Sequence, residues 1–101
     1  MYVLHPAAYH DIDDIWEHIA ADSIDAADRV RDGIHSTIRS LVSFPHQGYR
    51  RPDLSSRPLR FTTVWEYVIA YVPDEKPLLV LAVIHGRRSP RTIAAVLRRR
   101  E

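Results

Sequence analysis

Apolar positions recur along this chain in two helical rhythms and one strand rhythm. Ala8, Ile12, Ile15, Trp16 and Ile19 fall on one face of a helix. Ala27, Val30, Ile34, Ile38 and Leu41 repeat at intervals of three and four, which predicts a second helix. The pattern then changes. Val64–Val72 is rich in β-branched and aromatic residues, and Leu78–Ile84 is continuously apolar. Turn residues bound both runs, and Pro73 and Pro77, which cannot donate to a ladder, mark the strand ends between them. This predicts a β-hairpin at the centre of a sheet, with the second strand buried on both faces.

Boundary residues add to the pattern. Tyr2–Leu4 predicts a short first strand, and Pro6 suits the first position of the following helix. Ser23 is an N-cap candidate for the second helix, with Asp25 in its first turn, and Pro45 stops that helix after Phe44. The short link between the two helices makes them an antiparallel hairpin. Residues 45–57 form a loop. Leu59–Thr63 predicts a strand, with Arg60 on the face opposite Leu59 and Phe61. Ser89 and Pro90 can start a last helix through Ile93, Val96 and Leu97, and the arginines beyond it are expected to be frayed. The expected fold is α+β in one domain over residues 1–101: a strand, a helical hairpin, three antiparallel strands and a last helix.

Composition narrows the function classes. With 101 residues, no cysteine and no apolar run of membrane length, disulfides, thiolate chemistry and a membrane partner are not expected. The lack of a signal pattern leads us to expect the cytoplasm. The net charge of +1 hides a division. Residues 1–32 carry eight acids and two arginines, whereas residues 33–101 carry twelve bases and five acids. Lys76 is the only lysine, and an arginine-dominated surface suits carboxylate or phosphate recognition. The acidic first helix argues against a helix-turn-helix DNA reader, because phosphate would repel it.

No phosphate-cradling glycine loop and no GxSxG elbow is present. His10, Asp14 and His18 share one helical face, opposite the apolar stripe, and read as a solvated surface; neither a metal nor a cofactor is expected. The candidate chemistry lies in Arg51, Arg60, His85, Arg87 and Arg88, with Tyr71 nearby in the pattern. A histidine among arginines can act as a general base on a phosphodiester, with the arginines holding transition-state charge. Alternatively, His85 simply caps a strand, and Arg60 pairs with Glu66 or an aspartate.

The stretches DIDDIWEHIAADSIDAADRV, SFPHQGYRRPDL, RPLRFTTVWEYVIAYV and VLAVIHGRR together resemble the ParE branch of the RelE/ParE toxin superfamily over nearly the whole chain. The resemblance implies a toxin of a type II toxin–antitoxin pair, in the βααβββ order, neutralised by a cognate antitoxin. RelE-like members cut mRNA on the ribosome, and ParE-like members block DNA gyrase. No tyrosine follows Tyr71, and the second helix carries Asp25, Asp28 and Asp32 where ribosome-dependent members often carry lysines. Both departures favour gyrase inhibition without chemistry. The other readings are an endoribonuclease using His85, Arg60 and Arg87, and an inactive member that only binds its partner.

The expected gyrase-binding surface is Arg51, Arg60, His85, Arg87 and Arg88. For the antitoxin, a hetero-oligomeric complex is expected, with Tyr49, Leu54 and Trp65 as apolar anchors and Trp16 closer to the core.

Overall fold

The computed structural model describes residues 1–100; Glu101 lies outside them. In chain order the elements are β1 (Tyr2–Leu4), α1 (Pro6–Ala20), α2 (Ile24–Ser43), β2 (Arg60–Val64), β3 (Tyr67–Val72), β4 (Leu78–His85) and α3 (Pro90–Arg99). The sheet order is β1-β4-β3-β2. The expected α+β fold is therefore present, with one strand, β1, running parallel to β4. A helical hairpin separates β1 from β2 in sequence, and that intervening chain lets β1 enter the sheet beside β4.

Local chemistry sets the helix starts. His5 ends β1 by donating its N–H to Val80 O at 2.8 Å, and its Nδ1 accepts from Ala7 N at 3.0 Å, which caps α1. Ser23 caps α2 through Ala26 N, and Ser89 caps α3 through Thr92 N. At each of the three, a side chain satisfies one N–H that the first helical turn leaves without a partner.

Two apolar clusters share the sheet. On one face, Ala8 and Ile12 of α1 and Ile34, Ile38 and Leu41 of α2 pack on Tyr67, Ile69, Tyr71 and Val80. On the other, Ile93 and Leu97 of α3 pack with Leu54, Leu59, Phe61, Leu81 and Ile84. This second layer accounts for the continuous apolar run of β4, which must satisfy both faces.

β4 carries one extra residue. Ala70 pairs with Ala82, but Tyr71 pairs with Val80, so Leu81 is a bulge. The bulge shifts the alternation by one. Val80 and Val83 lie in the α1/α2 cluster, whereas Leu81, Ala82 and Ile84 lie in the α3 cluster. Without it, His85 would point towards α3. With it, His85 meets Tyr67 edge-on at 5.4 Å between ring centroids.

Two expectations require correction. Val64–Val72 is not one strand: Val64 ends β2, Trp65 and Glu66 form a tight turn, and β3 begins at Tyr67. Trp65 has φ 51°, a region that turn sequences usually fill with glycine or asparagine, so the sequence carries no turn signal there. The second correction concerns Arg100, which is folded back on α1 rather than frayed. Its guanidinium pairs with Asp11 and also donates to Leu81 O at 3.0 Å, while Asp11 Oδ2 accepts from Val83 N at 3.0 Å.

Candidate target and partner surface

The five residues expected to form one basic surface lie at two ends of the sheet. Arg60 pairs with Tyr71 across β2 and β3, and His85 pairs with Tyr67 across β3 and β4. Tyr67 and Tyr71 are four residues apart, which places the two ends about 13 Å apart along the strand at ~3.3 Å per residue.

At the first end, the basic residues are committed to the fold. Arg60 is half-buried and donates through Nη1 to Gly48 O at 2.8 Å. Neither Glu66 nor an aspartate is its partner. Arg51 forms a bidentate pair with Asp53 at 2.8 and 2.7 Å, and that hydrogen bonding holds the Asp53 carboxyl below the usual carboxylate range. Tyr71 is fully buried. Its hydroxyl donates to Pro45 O at 2.7 Å and accepts from Gly48 N at 3.1 Å, and burial pushes its phenol above its ordinary pKa. A Cβ on Gly48 would come within 2.5 Å of that hydroxyl, so the close approach requires glycine. Tyr71 therefore anchors the loop after α2.

At the second end, His85, Arg87 and Arg88 gather where β4 turns towards α3. Arg87 N–H donates to His85 Nδ1 at 3.0 Å. This leaves the ring proton of neutral His85 on Nε2, which faces Glu66 Oε2 at 3.3 Å. Both ring nitrogens thus have partners. The side chains of Arg87 and Arg88 are exposed and have no acidic partner among the described residues.

Beside His85 lies a groove of about 610 Å³ between the helical hairpin and the β2–β3 turn, lined by His18, Arg29, Val30, Trp65, Tyr67 and His85. Trp65 is 62 % exposed and lies over Gly33 of α2. A Cβ at Gly33 would stand 2.4 Å from the Trp65 ring, so the glycine makes room for the indole. Trp65 stands out in the sequence as an apolar anchor, whereas Gly33 and Arg29 do not. A glycine inside an otherwise regular helical pattern was the available signal.

The expected partner anchors divide. Tyr49 is 42 % exposed and bridges β2 through two 2.8 Å backbone bonds with Phe61. Its ring stacks on Phe61 at 6.1 Å. Leu54 is buried in the α3 cluster, so no partner reaches it without opening the core. Trp16 is half-buried, with its indole N–H donating to Asp28 at 2.9 Å. His10, Asp14 and His18 are all exposed on α1.

A small α+β domain with a helical hairpin on one sheet face, in the order strand, two helices and three strands, is the architecture that the sequence resemblance implied. The family model described as ParE toxin of type II toxin-antitoxin system, parDE, matches residues 2–90, and the chain belongs to that family. No curated protein matches it.

Proposed function

We propose that this toxin binds DNA gyrase and blocks it without chemistry of its own, acting in the cytoplasm until a cognate antitoxin neutralises it. The observation that carries this reading is the state of His85. A general base needs a lone pair within reach of the proton it abstracts. Here Nδ1 accepts from Arg87 N–H, and Nε2 holds its proton towards Glu66. The nearby cations are exposed arginines, which suit binding to an acidic surface and do not transfer protons at neutral pH.

Arg87 and Arg88, with His85 beside them, are the proposed target contacts. Arg51 and Arg60 leave that set, because their guanidinium groups already serve Asp53 and Gly48. The antitoxin is proposed to dock on the outer edge of β2. Tyr49 covers that edge only at Phe61; beyond it, the backbone of exposed Thr63 has no partner among the described residues, and the exposed Trp65 follows. An added strand there would gain main-chain bonds, with Tyr49 and Trp65 as apolar anchors.

Primer extension on translated mRNA tests the absence of chemistry. Intact message at toxin levels that arrest growth is the expected result. Codon-specific cleavage that disappears in His85→Gln would overturn the reading in favour of an endoribonuclease.

A further inference from the structure

Charge divides across the sheet. The side of the helical hairpin, residues 6–43, carries eight acids and three arginines. The other side holds α3 and the stretch 49–59, where Leu54 packs with Ile93 and Leu97 and the Tyr49 ring stacks on Phe61. In sequence, residues 49–59 hold three arginines and one acid, Asp53, and residues 86–101 hold six arginines and one acid, Glu101. The acidic hairpin, which phosphate would repel, therefore lies across the sheet from α3.

α3 presents its arginines outward. Ile93 and Leu97 are buried against the sheet, whereas Arg91, Arg98 and Arg99 are exposed. Arg91 and Arg98 are two helical turns apart, so they share one line about 10.5 Å long, with Ala94 and Ala95 between them. Arg98 and Arg99 lie in the last turn, where a cation suits the helix dipole. Arg91 lies in the first turn, where a cation opposes the dipole, and no acid offsets it there. Holding the helix together therefore gives no reason for a cation at Arg91.

The kind of partner follows from what stands around these arginines. Protein interfaces draw most of their affinity from large apolar anchors. The exposed large apolar side chains of the described residues all lie outside 50–59 and 86–100. Unpaired bases are held by stacking on aromatic rings, and residues 86–100 contain no aromatic residue. A duplex backbone needs neither, because guanidinium groups on its phosphates supply binding independent of sequence.

We propose that the outer face of α3 is a contact surface for the phosphate backbone of duplex DNA, through Arg91, Arg98 and Arg99. That this duplex is the one held by gyrase rests on the reading above. The contact itself is tested without gyrase, so the two readings fail separately.

The test follows the fluorescence anisotropy of a labelled DNA duplex as the full chain is added, at roughly 50–200 mM salt. Saturable binding is expected, with log K falling against log salt at a slope of about −3, for three phosphate contacts at ~0.9 each. Arg91→Gln and Arg98→Gln should each reduce that slope by about one and weaken binding several-fold. Arg91→Gln should also keep or raise the melting temperature, because it removes a cation from the positive end of the helix dipole. If Arg91→Gln does not fold, Arg98→Gln decides the matter. Arg39→Gln removes one exposed charge from the hairpin side and should leave binding unchanged. Absence of saturable binding at the lowest salt overturns the surface. Equal weakening by Arg39→Gln overturns it in favour of net charge alone, and tighter binding to single-stranded DNA or RNA overturns it in favour of contacts to bases.

Discussion

The carboxylate of Asp11 and the guanidinium of Arg100 together complete the edge of β4 that β1 is too short to cover. β1 pairs with β4 only from Leu78 to Val80. Beyond that, Val83 N–H goes to Asp11 and Leu81 C=O to Arg100, and the two side chains pair with each other. The bulge at Leu81 sits in the same stretch, so the ion pair serves backbone that regular pairing does not reach. The side chains are only 14 % and 17 % exposed, which places this pair with buried rather than surface ion pairs.

Asp11→Ala should therefore destabilise the fold by about 3 kcal/mol, since it leaves a buried guanidinium without its counter-charge and the Val83 N–H without its acceptor. At roughly 4–8 °C per kcal/mol for a domain of this size, the melting temperature should fall by more than 10 °C. Arg100→Ala should cost a comparable amount, because it leaves the Asp11 carboxylate without its counter-charge and Leu81 C=O without its donor. A double-mutant cycle measures the coupling, and strict additivity would contradict this role.

Gly33 and Trp65 should separate stability from the shape of the groove. Gly33→Ala gains up to about 1 kcal/mol of helix propensity. The new methyl must displace the indole, whose exposed ring can swing outward. The expected outcome in a Trp16→Phe background is an unchanged or higher melting temperature with a red-shifted, more quenchable Trp65 emission. An unchanged spectrum would show that the ring does not rest on Gly33.

His35 should make the fold sensitive to mild acid. Its Nδ1 lies 2.6 Å from the Tyr2 hydroxyl, tying β1 to α2. Burial, then Arg39 and Arg31, lower its pKa from the ordinary 6.5. The unfolded chain thus takes up the proton first as pH falls. The contribution of His35 is present above about pH 6.5 and is lost as pH drops through the lower folded value. Chemical denaturation between pH 7.5 and 5 should show falling stability, with a shallower slope in His35→Gln. Equal slopes would remove His35 as the cause.

Arg87 and Arg88 should matter for toxicity and not for folding. Both are exposed, and neither side chain has an acidic partner or a hydrogen bond among the described residues. The double change to alanine should abolish growth arrest while shifting the melting temperature by no more than a few degrees, in line with the ~0.5 kcal/mol of ordinary surface substitutions. Retained arrest would remove them from the target surface, and a joint loss of arrest and stability would make them structural.

The helices, their serine caps and the doubly buried strand were legible because each rests on local periodicity and cap chemistry. The turn at Trp65 was not, because nothing in Trp65–Glu66 favours positive φ; tertiary packing of the indole on Gly33 accompanies it instead. The bulge at Leu81 was hidden for a related reason: a run apolar on both faces shows no break when its alternation slips. The grouping of the candidate residues in space was legible in part. His85, Arg87 and Arg88 are neighbours in sequence and remain so in space. Arg51 and Arg60 have the same chemistry but lie at the other end of the sheet, which only strand register reveals. The pairing of Asp11 with Arg100 joins residues from opposite ends of the chain, beyond any local pattern.

The most direct test is a supercoiling assay with purified toxin, gyrase, relaxed plasmid and ATP. Supercoiling should fall as toxin is added and should recover when the cognate antitoxin is supplied. Undiminished supercoiling at toxin concentrations that arrest growth would contradict the account.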